Sequence, residues 1–587
     1  MSGRITFHFD DGHMSHYEQA YNIFRKAGVV GCLALSISCL KNNTRITIEQ
    51  ALEMQENGWE ILSHSMNHIR MSTPLPVEVM VTEIATCKYL LEQEGFHIKQ
   101  YITPMSECHE SMIPLLREHY DAAFTVYKNS AEESVEQLVM QRPVQKYRLH
   151  RACLTKHSLE ELKNYVDYVA ENDSWLVFYD HDLGVGTNIT AQMLAELVDY
   201  CKQKHVDIVT SSEALAQEKC TTDILLNGYN GTECWVHARA AVNGLQQMIT
   251  AQKLDVTGMD CFGGLYVNCS TDGGHTWSGF HPDKALASIY RTVDEKNLRS
   301  VCCDMTPMYH HKTNKFLVTG HLTSYQVDNN RPLRERIERP TPYAVYDMER
   351  GCFGEVQYIQ LPETSTYYAT GSGCCQCAEL DNGDILIPIT FQSKDSGEAM
   401  HTQVMIVRCS FDGESLCVKE ISNTLDVPDE QRGIGECSVV VHEGKYYLTI
   451  RGDNHGYVSV NDNGLHFTQP LIWHWDNGEI LPTYNTQAHW IRLRGKLYLV
   501  YTRKNGTNDH VFRHRAPLYA AEINTDTLSV IASSEFVVVP ERGARLGNFG
   551  ACSIDDNTAL VTVTEWMQPK GCEQYGSDNA LWLTQVI

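Results

Sequence analysis

A segment of two apolar strands joined by a polar or glycine-containing turn recurs six times between residues 235 and 565, about every 50 to 70 residues. This spacing suits one four-stranded blade with its loops, and six blades close into a β-propeller, which leaves few strand edges exposed. The copies are WVHARAAVNGLQQMITA (235–251), MTPMYHHKTNKFLVTG (305–320), CQCAELDNGDILIPIT (375–390), CSVVVHEGKYYLTIRG (437–452), HWIRLRGKLYLVYTR (489–503) and GACSIDDNTALVTVTE (550–565).

The first 218 residues instead alternate strand-like and helix-like segments. Repeated β-α units of this length predict a parallel sheet that closes, or nearly closes, into a barrel. The strands are ITFHF (5–9), VVGCLALSI (29–37), WEILS (59–63), WLVFY (175–179) and VDIVT (206–210). We therefore predict a (β/α) barrel over residues 1–218, a polar linker over 219–234 and a six-bladed propeller over 235–587.

The bulk composition narrows the classes of function. A chain of 587 residues with 43% hydrophobic and 21% charged residues is expected to form more than one globular domain. The formal charge of −25 argues against nucleic acid or an anionic membrane as a partner. An acidic ligand held in a locally basic pocket is still compatible with this negative net charge.

The location of the protein is predicted from its start and its cysteines. Neither a signal-peptide pattern nor an apolar run of about 18 residues is visible in the sequence. The 21 cysteines are scattered and form no repeated CxxC pattern. Free thiols in a reducing compartment are the expectation, and with them a cytoplasmic location.

Two motifs in the first half carry chemistry. Asp10 and Asp11 end the first strand in FHFDDG, and His64 and His68 follow the strand WEILS in HSMNH. Adjacent carboxylates repel each other, and histidines four residues apart can aim at one point. Imidazole and carboxylate ligands together suit zinc, and the carboxyl ends of parallel barrel strands open on one face.

These motifs resemble the first two signatures of the polysaccharide deacetylase family of carbohydrate esterases, over roughly residues 4 to 216. The resemblance implies a distorted TIM-like barrel with Asp10 as general base and with Asp11, His64 and His68 as metal ligands. The segment WLVFYDHDLG matches the region of the family's general acid, which gives His181. The expected cofactor is Zn²⁺, with Co²⁺, Mn²⁺ or Ni²⁺ as alternatives.

One signature of that family is not reproduced. Its third motif supplies an arginine two residues before a proline, and that arginine orients the base. Here QYITPMSECHE places Ile102 two residues before Pro104. Either another basic residue, such as Arg148 or Arg151, substitutes for it, or the chemistry of the barrel is altered.

The second half contains an Asp-box. CSTDGGHTW has the full S-x-D-x-G-x-T-W pattern in Ser270, Asp272, Gly274, Thr276 and Trp277. VNDNGLHF (460–467), which keeps Asp462, Gly464 and Phe467, is a looser copy, and SFDGE (410–414) a weaker one. This turn resembles those of sialidase-like propellers, where it reports the fold and not the chemistry.

The same resemblance implies a second site. Sialidases hold a substrate carboxylate with three arginines, since guanidinium groups pair with it through two hydrogen bonds. They also use a tyrosine nucleophile, a glutamate that activates it and an aspartate as acid/base. The matching positions are Arg239, Arg451, Arg513 or Arg515 for the arginines, Glu436 for the glutamate, Asp260 for the aspartate, and Tyr484 or Tyr575 for the tyrosine.

These arginines also have a structural interpretation, since each could bind a backbone carbonyl or a neighbouring carboxylate. The run RPLRERIERP (331–340) is interpreted as a solvated loop and not as a binding patch.

The sequence leaves three functional hypotheses open. The first is a bifunctional enzyme, in which the barrel deacetylates a sugar in a metal-dependent reaction and the propeller hydrolyses or recognises an acidic or acetylated oligosaccharide. The second is a deacetylase with a non-catalytic sugar-binding propeller. The third is a sialidase-like glycosidase with a relic barrel.

Overall fold

The computed structural model describes residues 3–186, 188–258, 260–293, 295–327, 332–333, 337–362, 365–395 and 401–587. The chain divides into two compact units, one ending at Asp223 and one beginning at Ile224. Among the described residues, no helix is long and apolar enough to cross a membrane. Part of the run RPLRERIERP lies outside the described residues.

The N-terminal unit is built on one parallel sheet that nearly closes into a barrel, as predicted. Its two end strands, Leu149–His150 and Ala152–Cys153, are almost consecutive in the chain, which brings the open edges close together. The order across the sheet is Leu149–His150, Ala122–Val126, Gln100–Ile102, Glu60–Ser63, Cys32–Leu35, Arg4–Asp10, Trp175–Asp180 and Ala152–Cys153, with Asp207–Ile208 beside the start of Arg4–Asp10.

Helices connect these strands and cover the outside of the sheet. The helix Ile48–Glu56 begins at the predicted capping box of Thr47 and Gln50, and Gly28, at φ 70°, ends Asn22–Ala27. The main helical segments are His16–Tyr21, which continues as Asn22–Ala27, then Ile48–Glu56, Val77–Val81, Thr82–Thr86, Cys87–Gln93, Ile113–His119, Leu159–Glu171, Ala191–Gln203 and Ser211–Ala216.

The first strand, Arg4–Asp10, is buried on both faces, and its side chains alternate between them. Phe7 and Phe9 pack against the helices in the larger hydrophobic core. His8, on the other face, lies 2.7 Å from Ser211 Oγ, and its ring lies against Phe124 of the strand Ala122–Val126, which is not adjacent in the sheet. Asp10 shares this inner face and therefore stands at the carboxyl end of the barrel interior.

The C-terminal unit contains six antiparallel blade sheets, which confirms the six-bladed propeller. Each predicted two-strand repeat coincides with one hairpin of one blade. The main strands are Glu233–Asn243, Gln246–Asp255 and Cys261–Ser270 in blade 1; Lys296–His310, Lys315–Gln326 and Pro342–Asp347 in blade 2; Asp384–Gln392, Gln403–Phe411 and Leu416–Ile421 in blade 3; Gly435–His442, Lys445–Arg451 and Gly456–Asn461 in blade 4; His489–Leu493, Lys496–Thr502 and Leu518–Asn524 in blade 5; and Gly550–Ser553, Ala559–Thr564 and Leu581–Val586 in blade 6.

The turns predicted as Asp-boxes differ in their hydrogen bonds. In the first, the Asp272 carboxylate accepts the Thr276 N–H at 2.9 and 3.0 Å. In the looser copy, Asn463 Oδ1 accepts the N–H of His466 at 2.9 Å, so Asn463 takes the role expected of Asp462. An asparagine carbonyl caps such a turn as well as a carboxylate does.

The predicted linker, residues 219–234, is not irregular throughout. Cys220–Leu226 is a strand, in which Thr221 and Thr222 pair in parallel with Val144 and Gln145. The β-branched and apolar residues of CTTDILL favour an extended, paired backbone, and this outweighs the polar character that suggested a linker.

Candidate functional site

The two adjacent aspartates at the end of the first strand turn to different partners. Asp10 ends the strand, and Asp11 already has a left-handed backbone, with φ 71°. This change of direction sends the Asp11 carboxylate toward His64 and His68 and leaves the Asp10 carboxylate against Arg151. The two carboxylates therefore do not compete for one position.

Asp11, His64 and His68 bring three ligand atoms to one point. Asp11 Oδ1 lies 3.4 Å from His68 Nε2 and 3.8 Å from His64 Nε2, and all three ligand atoms lie within 4.8 Å of one another. Atoms bound at about 2.0–2.2 Å to one tetrahedral zinc ion lie about 3.4 Å apart. The residue types and their separations therefore fit a divalent metal ion.

The surroundings of the site orient its ligands. Nδ1 of His64 lies 2.9 Å from the carbonyl oxygen of Ile102, which favours a proton on Nδ1 and leaves Nε2 free to bind a metal. Burial lowers the pKa of His64, so its imidazole is neutral near neutral pH. Ser65 and His68 have φ 65° and 55°, a strained conformation that is often found at functional sites.

Arg151 supplies the guanidinium that the third signature lacks. Its Nη1 donates to Asp10 Oδ1 at 2.8 Å and to Oδ2 at 2.9 Å, and both side chains are 2% exposed. The guanidinium also lies 4.4 Å from the Tyr179 ring. Arg148, the other candidate, pairs with the exposed Glu110 instead.

The charge of Arg151 sets the protonation of Asp10. Burial by itself raises the pKa of the Asp10 carboxyl, but the charges of Arg151, His64 and His181 together hold it well below its usual range. Asp10 is therefore ionised, and able to accept a proton, near neutral pH.

His181 lies on the loop after the strand Trp175–Asp180, close enough for its charge to act on Asp10. The buried Asp180 carboxylate holds this loop by accepting the N–H of His181 at 2.9 Å and that of Ile189 at 3.2 Å. The His181 carbonyl lies 2.8 Å from His16 Nε2. An ionised carboxylate, three metal-ligand side chains and a further histidine on nearby loops suit hydrolysis of an acyl bond.

In the propeller, Glu436 and Arg451 face each other across the blade 4 hairpin. Arg451 Nη1 donates to Glu436 Oε1, and Nη2 donates to Asn485 Oδ1 at 2.6 Å. Both charged residues line a cavity of about 230 Å³, together with His321, Arg432 and Asp453 among others. Glu436 has φ 47°, so its backbone is strained where its side chain meets the cavity.

Arg239 is fully buried and is held by other blades. Its Nη2 donates to Asp304 Oδ1 at 2.9 Å, Cys374 Sγ at 3.2 Å and Gln487 Oε1 at 3.3 Å. Asp304 also lies 3.3 Å from His237 Nε2, and these charges hold the pKa of its carboxyl well below the usual range, although burial raises it. Substrate binding by Arg239 stays a prediction.

Arg513 and Arg515 differ in their burial and in their contacts. Arg515 is 5% exposed, donates to the Asn485 carbonyl and thereby lies beside Arg451. Arg513 is less buried, and its guanidinium lies 5.0 Å from the Phe512 ring. Of the two, Arg515 is positioned to act together with Arg451.

Asp260 lies on the turn before the strand Cys261–Ser270, with φ 51°. The Tyr325 hydroxyl holds this turn by donating to the Asp260 carbonyl at 2.6 Å. Burial raises the pKa of the Asp260 carboxyl, while the nearby Arg545 and Arg513 act in the opposite direction. A raised pKa suits the predicted acid/base role, which stays a prediction.

The two candidate tyrosines have different partners. The Tyr484 hydroxyl lies 2.6 Å from His514 Nδ1, and His514 Nε2 lies 3.0 Å from Asp509 Oδ1. Tyr575 is 49% exposed, and its ring packs on His510 at 4.4 Å. Only Tyr484 of this pair has a base within hydrogen-bond reach among the described residues.

Comparison with known proteins identifies the first unit. Residues 2–123 match the family model described as Polysaccharide deacetylase. The N-terminal unit carries a polysaccharide deacetylase domain. "Putative polysaccharide deacetylase YxkH" of Bacillus subtilis is 29% identical over 88 residues. This match covers 15% of the chain and 31% of the relative, so the chain spans about a third of that relative's length.

Three solved structures align with parts of the chain. Trypanosoma rangeli sialidase in complex with sialic acid aligns with a TM-score of 0.43 at 14% identity, over 63% of this chain and 59% of that one. The Xyl-CE4 domain of a multidomain xylanase from the hindgut metagenome of Trinervitermes trinervoides aligns with a TM-score of 0.28 at 18% identity, over 37% of this chain and 91% of that one. A CE4 family pseudoenzyme from Bacillus anthracis aligns with a TM-score of 0.28 at 12% identity, over 36% of this chain and 66% of that one.

Several residues around these sites have no counterpart in the sequence prediction. Asp304 was detectable in principle, because it is a lone carboxylate inside the apolar strand SVCCDM. Asn485 and Arg545 lie in irregular segments, where no periodic pattern reveals which way a side chain points. In the deacetylase domain, Arg151 was one of two alternatives, and the contact with Asp10 distinguishes them.

Proposed function

We propose that the barrel removes an acetyl group from an acetylated sugar in a metal-dependent hydrolysis. The observation that carries this proposal is the convergence of Asp11, His64 and His68 on one point beside an Asp10 that Arg151 holds ionised.

The side chains of the barrel divide the reaction between them. A divalent ion bound by Asp11, His64 and His68 would polarise the acetyl carbonyl and lower the pKa of the attacking water. Asp10 accepts a proton from that water as its oxygen attacks the carbonyl carbon. The carbon–nitrogen or carbon–oxygen bond to the sugar then breaks, His181 protonates the leaving atom, and acetate departs.

The proposal is tested by the release of acetate from N-acetylated and O-acetylated oligosaccharides. We expect the full chain to release acetate, a chelator to abolish this release, and added Zn²⁺, Co²⁺, Mn²⁺ or Ni²⁺ to restore it. Asp11→Ala is expected to lose both bound metal and activity. Asp199→Ala, a change on the exposed side of the helix Ala191–Gln203, is the matched control. Acetate release that survives both Asp11→Ala and chelation contradicts the proposal.

For the propeller we propose recognition of an acidic sugar in the cavity that Glu436 and Arg451 line. The support is a guanidinium pair, Arg451 and Arg515, that shares Asn485 beside this cavity. Guanidinium groups bind a carboxylate through planar, paired hydrogen bonds. Arg451→Gln should weaken binding of sialic acid at least tenfold and leave acetate release unchanged.

A second candidate function for the propeller is hydrolysis of that sugar's glycosidic bond. The observation that favours it is the chain Tyr484–His514–Asp509, in which a hydroxyl, a base and an orienting carboxylate follow one another. Tyr484→Phe should abolish cleavage of a sialoside while sparing its binding. Unchanged cleavage in this variant would leave the propeller as a binding module.

A further inference from the structure

Two loops of the propeller pack together and carry five arginines, of which Arg503 and Arg542 pair with Glu535 and Glu565. The loop between Thr502 and Leu518 contains Arg513 and Arg515, and the segment between Val539 and Gly550 contains Arg545. The Leu546 N–H donates to the Arg515 carbonyl at 2.5 Å. The two loops are therefore in direct contact at Arg515 and Leu546.

Arg513 and Arg545 lie against the same aromatic ring. Both guanidinium groups lie 5.0 Å from the centre of the Phe512 ring, and Arg545 also lies 3.9 Å from the Trp566 ring. Aromatic faces stabilise a guanidinium and fix its plane, but they do not neutralise its charge. We call these two residues the Arg513–Arg545 pair.

The hydrogen bonds of Arg545 are incomplete. It is 8% exposed, its Nη2 makes a bond of 3.3 Å to Gln568 Oε1, and its Nε is buried without a partner. Among the described residues, no carboxylate forms an ion pair with Arg513 or Arg545. Burial, together with nearby Arg513, lowers the pKa of Arg545 to about 10, although the Asp260 carboxylate acts against this. A buried charge with unmet donors favours an anionic ligand.

The neighbouring carboxylates are already occupied. Arg432 holds Asp453 through two bonds of 2.6 and 2.5 Å, and Arg451 holds Glu436. Asp260, an exposed carboxylate, is the one whose charge acts on both Arg513 and Arg545. This region therefore has an excess of positive charge on a chain whose formal charge is −25.

We propose that the Arg513–Arg545 pair is a second anion subsite, and that the propeller takes a glycan with two anionic groups. One group would bind Arg451 and Arg515 in the cavity, and the other would bind the pair. This inference rests on the proposed recognition of an acidic sugar. The second anion is the carboxylate of an adjoining acidic sugar or a sulfate ester on the same sugar.

The geometry connects the two subsites. Arg513 is near enough to Arg451 for the charge of Arg451 to lower its pKa, which burial lowers most. Arg515 and Arg513 are two residues apart, so one loop contributes to both subsites. A ligand that occupies both would be held by two guanidinium groups at each end.

The experiment measures the dissociation constants of three probes with the full chain at low salt, where charge contacts are least screened. The probes are sialic acid, α2,8-linked disialic acid and a sulfated sialic acid. We expect at least one dianionic probe to bind tenfold or more tightly than sialic acid. Arg545→Gln and Arg513→Gln should remove this advantage and leave the sialic acid constant unchanged.

Arg350→Gln is the matched control, because Arg350 is 80% exposed on the same unit and pairs with Asp347. Arg513→Gln also guards against misfolding, since Arg513 is less buried than Arg545. A preference for the disialic probe identifies the second anion as a carboxylate, and one for the sulfated probe identifies it as a sulfate ester.

The outcomes separate the two proposals. Equal affinity for all three probes overturns the second subsite alone. An equal loss of affinity for all three probes in Arg513→Gln and Arg545→Gln does the same. Binding of no probe, or unchanged binding in Arg451→Gln, overturns the recognition of an acidic sugar and this inference with it.

Discussion

Arg151 Nη1 donates to both oxygens of Asp10, at 2.8 and 2.9 Å, across 141 residues of sequence. Both side chains are buried, so each would be an uncompensated charge without the other. The guanidinium that orients the proposed base therefore comes from the strand end near residue 150, and not from the segment around Ile102 where the family motif predicts it.

Removal of Arg151 should change the pH dependence as well as the rate. In Arg151→Met the pKa of Asp10 should rise, because the charge that lowers it most is lost while burial remains. We expect kcat to fall roughly 100-fold or more, the range of one general acid–base contribution, and the acid limb of the profile to move to higher pH. Metal content should stay near one ion per chain.

Arg148→Met is the control for that measurement, since Arg148 pairs with an exposed Glu110. Arg148→Met should retain the kcat and the pH profile of the unchanged protein. If Arg148→Met lost activity while Arg151→Met kept it, the assignment of Arg151 as the orienting residue would be wrong.

Glu436→Gln should change the activity of the propeller and not that of the barrel. The change removes the negative charge that faces Arg451 but keeps an oxygen acceptor. Cleavage of a sialoside should be lost, and acetate release should be unchanged. Both reactions can be followed in one preparation, by released sugar and by released acetate. A parallel loss of acetate release would show that the variant disturbs more than the propeller site.

Gly547→Ala should displace Arg515. A Cβ at this position would lie 2.6 Å from Arg515 Cδ and 2.7 Å from Thr486 Oγ1, closer than carbon contacts allow. We expect binding of sialic acid to weaken by tenfold or more, measured by calorimetry. Gly354→Ala, whose Cβ would lie 3.5 Å from the Val345 carbonyl oxygen, should bind sialic acid as the unchanged protein does.

Stability should fall as the pH is lowered from about 6.5 to about 4. Burial lowers the pKa of His16, His150 and His237 to about 4 and that of His489 to about 3. The unfolded chain, with histidine pKa values near 6.5, binds protons in this range that the folded chain does not. Each such histidine contributes a slope of up to about 1.4 kcal/mol per pH unit.

The measurement is denaturant unfolding of each unit at several pH values, because two units need not unfold together. His489→Gln should reduce the slope for the propeller. His489 lies between Ser438 Oγ at 2.7 Å and the Phe549 carbonyl at 3.1 Å, and glutamine can satisfy such partners without titrating. An unchanged slope would mean that His489 titrates alike in both states.

The spacing of the repeated hairpins and the residues that form turns and helix caps predicted the architecture from the sequence. The six hairpins and the capping box of Thr47 were readable because both depend on neighbouring residues. The Asp11, His64 and His68 site was predicted from the family resemblance, and the structure brings these residues together. Contacts such as Arg151 with Asp10 depend on where two distant loops meet, and no local pattern carries that information. The strand Cys220–Leu226 was missed because its pairing partners lie far away in the sequence.

Arg239 connects blade 1 to Asp304 of blade 2, Cys374 of blade 3 and Gln487 of blade 5 through one guanidinium nitrogen. The contact with Gln487 spans 248 residues, so it forms only when the ring of blades is closed. In an open array of repeats each unit contacts only its neighbours, and stability is close to a sum over units. Here the loss of blade 1, 2, 3 or 5 removes hydrogen bonds that join the others through Arg239, so the propeller should unfold as one cooperative whole.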